Sequence, residues 1–335
     1  MILLIAFLTM LTGQTTVDHV PLVTLANTYD LKSMVVSERY ITLLLRSEPY
    51  VRVFDHSATP IAHWGRKGGG PDEFTSVQDI ATLDDSVWVL NKLPGKILVF
   101  SMTGKLQQNI NMNDLTFPTR IRPLGKRCII QEGGMRLDQN DLLLLGDKAK
   151  SKLHIIDFGK IESLKSSSGI PLRVTSPYAS RDHWDVSHEG LLIFSGKEQA
   201  DLNFLDMNGK IVEKWDLENR KYRIPESAKN IWLDEKFPKT SSGGFPTGSW
   251  RREAEKLPLP EFYPAVMKLV VDHDRLWVLK AYTDKNQLWQ CYQKGVKVNT
   301  LTLSNSYLVH AIYNGRVYAT DLEDDDTPIV VLAMR

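Results

Sequence analysis

Only two cysteines, Cys128 and Cys291, occur in the 335 residues, too few for a disulfide framework. Neither sign of charge dominates: 41 Lys+Arg against 40 Asp+Glu leave a net charge of +1. A global grip on nucleic acid or an anionic membrane needs a clear excess of one sign. Neither is expected as a partner. Beyond the N-terminus no apolar run approaches the length of a membrane-spanning helix. Also absent are a Gly-x-Ser-x-Gly elbow, His-Glu-x-x-His and Cys-x-x-Cys. With 42% apolar and 24% charged residues, the chain can bury a core, which excludes a disordered, collagen-like or coiled-coil protein. Length alone suggests about two domains, unless one large all-β fold takes the whole chain.

Met1–Leu11 is an unbroken apolar run, too short for a bilayer span but suited to the apolar core of a signal peptide. No Lys or Arg precedes it and no Ala-x-Ala follows. Gly13 can stand before the cleavage point, with a bulky Leu11 two positions earlier. No Cys follows to carry a lipid anchor. The expectation is a signal peptide over residues 1–14 and a periplasmic or secreted protein. The competing reading is a buried first strand or helix.

The rest of the chain is repetitive. An apolar strand recurs as Val51-Arg-Val-Phe-Asp55, Ile97-Leu-Val-Phe-Ser101, Leu153-His-Ile-Ile-Asp157, Leu202-Asn-Phe-Leu-Asp206, Leu288-Trp-Gln-Cys-Tyr292 and Ile329-Val-Val-Leu-Ala333. Three copies run into a Gly-Lys turn, at Gly104-Lys105, Gly159-Lys160 and Gly209-Lys210; Gly suits the positive φ of such hairpins. Upstream strand pairs also align: Asp79–Leu90 with Lys268–Leu279, and more loosely Asp185–Phe194 and His310–Ala319. From Phe54 through Phe100, Ile156, Leu205 and Cys291 to Leu332 the steps are 46, 56, 49, 86 and 41 residues. A four-stranded propeller blade takes about 40–50 residues. The long step holds an insertion. The spacing therefore predicts one all-β domain over 20–335, a six-bladed β-propeller of four-stranded blades, with a partly helical insertion at 218–266 between blades four and five. The sixth unit ends at its third strand. Residues 20–26 are expected to supply the missing outer strand and close the ring, which removes sheet edges.

Trp64-Gly-Arg-Lys-Gly-Gly-Gly-Pro-Asp-Glu-Phe74 resembles the G-x-x-G-x-G-P-x-E-F connector of NHL-type six-bladed propellers. The resemblance implies that this segment joins one blade to the next, with Phe74 filling the gap between them. Pro258-x-Pro260-x-Phe-Tyr-Pro264, followed by Leu276-Trp-Val278, is similar to exported six-bladed propeller proteins that carry a helical insertion before that blade. A phosphate loop at Gly68-Gly69-Gly70 is excluded, because no Gly-Lys-Ser/Thr follows and a strand comes next.

The insertion should lie over the face that carries the blade-to-blade loops. Pro225 marks a helix start, with Ala228, Ile231, Trp232 and Glu235 on one side. Ser249 is placed as the cap of a helix from Trp250 to Lys256. The segment is aromatic, with Trp232, Phe245 and Trp250 prominent. It reads either as a lid over a ligand or as a fixed cap on the propeller rim. Aligning the inner strands puts one residue per blade at the channel mouth: Lys32, Asp79, Arg120 or Arg122, Asp185, Lys268 and His310. Such a mixed ring can bind a small polar ligand, or it can be a set of internal salt bridges. Nearby cations disfavour a channel calcium. Asp182, His183, Asp185 and His188 could ligate zinc, although alternation separates them. Glu323-Asp324-Asp325-Asp326 reads as a solvated loop with calcium as the alternative. Both cysteines are expected as separated, buried thiols. The leading expectation is an exported, non-catalytic binding propeller without a cofactor, recognising a small polar ligand or a protein partner on its loop face. The alternative is a metal-dependent lactonase, esterase or lyase of the propeller type, in which a channel metal activates water.

Overall fold

The structure is a computed structural model. It describes residues 13–15, 17–18 and 30–334, apart from 113–114, 116, 125–126, 134–138, 146–149, 166, 168, 170, 176–177, 198, 238–246 and 325–328.

The inner strands are Leu31–Val36, Val77–Leu83, Pro118–Leu124, His183–Val186, Lys268–Asp272 and Tyr307–Tyr313. Each begins an antiparallel, up-and-down sheet of four strands, and the six sheets form a propeller ring. Second and third strands are buried on both faces: Ile41–Leu45, Ser86–Asn91 and Asp201–Leu205 are almost wholly inaccessible. A strand covered on both sides reads as a continuous apolar run instead of an alternating one, which is why these segments stand out in the sequence. Fourth strands face solvent, and Leu106–Asn111 is correspondingly polar. Six apolar clusters fill the six gaps between blades.

Local chemistry sets the turns and connectors. Asn314 and Gly315 both have positive φ, +49° and +75°, giving the two-residue hairpin turn that matches strand twist. In the Trp64–Phe74 connector, Gly68 N–H donates to Phe74 O at 2.9 Å, and the Glu73 carboxylate accepts from Gly70 N–H at 2.8 Å and pairs with Arg66 at 2.9 Å. A Cβ on Gly68 would lie 2.0 Å from the Glu73 carboxylate, so a side chain there displaces Glu73 from its bonds to Gly70 and Arg66. Phe74 is fully buried in the gap between blades one and two, 5.8 Å from both the Tyr50 and Phe100 rings.

Three expectations need correction. In blade three the third strand is Gln139–Leu145; Lys150–Asp157, which contains the repeat at 153–157, is the fourth. It resembles a third strand because Ile156 is fully buried against blade four. A separate hairpin, Ile161–Lys165 with Pro171–Thr175, then follows before blade four begins. Second, the strand that closes blade six is Val17–Asp18, antiparallel to Ala333–Met334; residues 20–26 lie outside the described ones. Gly13–Thr15 adds a parallel fifth strand to blade five, so the expected boundary at residue 14 falls inside a strand. Third, the helices differ in detail. Helix α1 spans Ser227–Lys236 and α2 spans Thr247–Ala254. Ile231 is 40% exposed, and α1 instead buries Ala228 and Leu233. Ser249 lies within the first turn of α2, not before it. Among the described residues no helix is long and apolar enough to cross a membrane.

Candidate functional site

The insertion does not rest on the ring alone. Leu233, Phe237, Trp250 and Ala254 pack against Leu164 and Val174 of the extra hairpin. The cap is thus built from two segments that flank blade four in the chain. Trp232 sits 5.8 Å edge-on from Phe237, and Trp250 is 9% exposed. Phe245 lies outside the described residues. The cap is joined to the ring through Tyr178, whose hydroxyl donates to Ala228 O at 3.0 Å and whose ring meets Tyr263 edge-on at 5.2 Å.

The channel residues fall into two groups. Asp79, Arg120, Arg122 and Asp185 form one ion-paired network. Arg122 reaches Asp79 at 3.2 Å and Asp185 at 2.9 Å, and Arg120 reaches Asp185 at 2.8 Å. Ser33 Oγ and Ile121 N–H also donate to Asp79, at 2.9 and 3.0 Å. Burial pushes the Asp185 carboxyl up, but Arg120 and Arg122 outweigh it and hold the group below its ordinary value. Both alignment candidates, Arg120 and Arg122, therefore belong here. Their partners saturate them, and Arg120 also donates to Trp184 O at 2.6 Å. Lys32 hydrogen-bonds Val77 O and, at 3.3 Å, Gln78 Oε1 of the next blade.

On the other side of the channel, Lys268 makes the same kind of staple to Val309 O. Burial, then the nearby Arg120 and Arg181, push its amine down to about 8. His310 hydrogen-bonds Thr320 Oγ1 at 2.8 Å, and burial followed by Lys268 pushes its imidazole down to about 4. Among the described residues no carboxylate acts on Lys268 or His310.

The zinc candidates disperse. Asp182 accepts backbone N–H bonds from Asp157 and Lys197, at 2.8 and 2.7 Å. Asp185 belongs to the arginine network, and His188 sits in the turn after the strand, its ring 6.1 Å from His273. Among the described residues no three His, Cys, Asp or Glu side chains gather as metal ligands. In the acidic loop, residues 325–326 lie outside the described ones. Cys128 and Cys291 are free and buried, and burial pushes both thiols up to about 12.

Between the cap and blades five and six lies a cavity of about 370 Å³, within the range of about 300–1,000 Å³ for small-molecule sites. Lys268 and Arg181 supply its cations and His183 its imidazole, beside the polar Thr175, Thr283 and Asn305, and Tyr178, Tyr263 and Tyr282 form aromatic walls. Ile231, Leu308 and Leu322 line it too, each at least 40% exposed. Burial, then Arg181 and Arg120, push His183 down to about 3. Of the ring expected from the sequence, only Lys268 lines this cavity, and of the described cap aromatics, Trp232 and Trp250, only Trp232 does. Alignment of strands could not find Arg181, which precedes an inner strand in irregular chain. His183 was accessible to sequence reasoning, because it lies two residues before Asp185 on the same side of its strand.

No protein-family model matches the chain, and no curated protein matches it. Among solved structures, a DUF4221-family member from Bacteroides vulgatus superposes with a TM-score of 0.59 at 8% identity, covering 97% of this chain and 99% of that one. A candidate exported protein from Bacteroides fragilis gives 0.54 at 10% identity, covering 96% of this chain and 94% of that one. At such identities the likeness concerns the fold alone, and it joins the strand order in making this chain a six-bladed β-propeller.

Proposed function

We propose that this protein is a non-catalytic binding propeller that holds a small polar ligand between its cap and blades five and six. The observation that carries this reading is the 370 Å³ cavity, in which cationic and imidazole groups converge between tyrosine walls. The arginine network supports it by contrast: Asp79 and Asp185 are occupied by guanidinium groups, so they serve to hold blades two, three and four together. That occupation also counts against a lactonase-like metal site, which needs those inner-strand carboxylates as ligands. The cap aromatics Phe237 and Trp250 are buried against each other and the hairpin, which favours a fixed cap and a small ligand over a protein docked on exposed aromatic rings. The apolar Met1–Leu11 segment, together with the candidate exported protein of similar fold, supports action outside the cytoplasm. The Gly-rich Trp64–Phe74 connector supports an NHL-type descent.

Ala179 lines the cavity, and Ala179→Trp would fill much of it. A polar small-molecule extract of the source cells should raise the melting temperature of the unaltered protein and leave the Ala179→Trp variant unmoved. Equal shifts in both, or none in either, would overturn the reading.

A further inference from the structure

We propose that the ligand of this cavity is an organic anion with a flat apolar body and an O–H or N–H donor. The proposal rests on the cavity being the binding site.

The anionic group follows from a charge imbalance. Arg181 and Lys268 both line the cavity. Among the described residues neither is ion-paired, and no carboxylate acts on either. The acidic groups of the channel lie in the arginine network, where they face Arg120 and Arg122. Lys268 is only partly exposed, and an ammonium withdrawn from water without a counter-charge is costly. Arg181 beside it is solvent-exposed, so an anion relieves the first cation and gains the second as a partner. A guanidinium fork and an ammonium together suit a carboxylate, sulfonate or phosphate oxygen pair.

The donor follows from His183. Its imidazole is neutral near pH 7. Its bond to the Val266 backbone favours the protonated form, so that nitrogen carries hydrogen and donates to the carbonyl. The other nitrogen, Nε2, is buried with no partner. In this tautomer Nε2 is an acceptor, and a buried acceptor without a donor is unfavourable. His183 lines the cavity, and a ligand hydroxyl or N–H that reaches Nε2 would complete it. The flat body follows from the walls, where Tyr178 meets Tyr263 edge-on and Tyr263 lies 6.3 Å from Tyr282. These rings touch one another edge-on and present an aromatic surface against which a flat ring packs. The exposed Ile231, Leu308 and Leu322 extend the apolar surface outward.

Two fluorescent probes separate these elements. Anilinonaphthalene sulfonate carries an anion, an N–H and fused rings. Phenylnaphthylamine carries the same rings and N–H without the anion. We expect the sulfonate to bind at one site per chain, about tenfold or more tighter than the neutral probe. Arg181→Ala with Lys268→Met should bring its affinity down to that of the neutral probe, whose own binding stays unchanged. Arg181→Glu, at an exposed position, should weaken the sulfonate without a folding defect. Equal affinity of the two probes, or insensitivity of the sulfonate to both variants, would overturn the anion while leaving the cavity reading intact. If neither probe saturates at one site, the cavity reading falls and the anion with it.

Discussion

Replacing Lys280 by Met should stabilise the protein at neutral pH, although it removes a hydrogen bond. Lys280 occupies the position in blade five that Asn91 holds in blade two. Asn91 is buried with its amide fully used: it accepts from Thr75 and Ser76 N–H and donates to Leu93 and Pro94 O. Lys280 is 1% exposed and donates one bond, at 3.2 Å, to Glu218 O. Burial lowers its amine from 10.5 to about 8, with Glu218 opposing. At pH 7 the lysine is charged in both folded and unfolded chains, and that depression costs about 3 kcal/mol. Methionine keeps the stem and removes the charge. The orphaned carbonyl costs about 1–2 kcal/mol, which leaves a net gain of roughly 1–2 kcal/mol. The pH profile gives a sharper test. The unfolded lysine holds its proton up to 10.5, whereas the folded one releases it at about 8. Wild-type stability therefore rises with pH through this window, by about 2 kcal/mol from pH 7 to 9.5. The variant lacks that increment. Lys268 and the tyrosines titrate in both proteins and cancel in the difference. Urea unfolding at pH 7 and pH 9.5 measures it. A variant less stable at pH 7, with a gap to wild type that does not change at pH 9.5, would refute the argument.

Phe74→Ala empties the gap between blades one and two and should cost about 3–5 kcal/mol, read as a lower denaturant midpoint; a loss below about 1 kcal/mol would mean the gap closes by itself. Arg122→Met leaves Asp79 without its guanidinium and Asp185 with Arg120 alone, for an expected loss of about 3–5 kcal/mol at pH 7. Because the folded Asp185 carboxyl is held below its ordinary value, its stabilisation is present above the unfolded pKa and lost as pH falls through the folded one. The gap between wild type and Arg122→Met should narrow below about pH 4, and a gap that stays constant to pH 2 would count against the ion pairs as its source.

The blade count was legible because doubly buried strands leave apolar runs that survive any local irregularity. Blade three misled for the same reason: its outer strand buries Ile156 against blade four, so burial, not strand order, set its pattern. Inner-strand alignment brought forward Asp79, Arg120 or Arg122 and Asp185, which the structure joins in one ion-paired network. The pairing itself was not legible, because Arg120 and Arg122 lie two apart on one strand and both reach Asp185 on the next blade. The cap was half legible. Periodicity from Pro225 and a capping Ser249 pointed to two helices, though the buried face of α1 and the start of α2 differ. Nothing local in 161–175 marks it as their packing partner, since that contact joins segments some 70 residues apart in sequence. Arg181 had no periodic signal, and its importance comes from where the cap ends.

The asymmetry of the channel and the placement of the cap point to one cause. Asp79, Arg120, Arg122 and Asp185 neutralise one another, so their side of the channel gains nothing from a ligand. The cations without a carboxylate partner among the described residues, Arg181 and Lys268, line the cavity beside α1 and the 178–183 segment. A cover of low polarity strengthens whatever electrostatic interaction takes place beneath it and penalises a charge left alone. Lys268 without a carboxylate is unfavourable for a protein that only needs a closed ring, because Met at 268 would keep the stem without the charge. The same shortfall that weakens the empty protein becomes binding free energy when an anion enters. By linkage, such a ligand should stabilise the folded chain in proportion to the logarithm of its concentration above Kd, and that stabilisation should vanish when Arg181 and Lys268 are both neutralised.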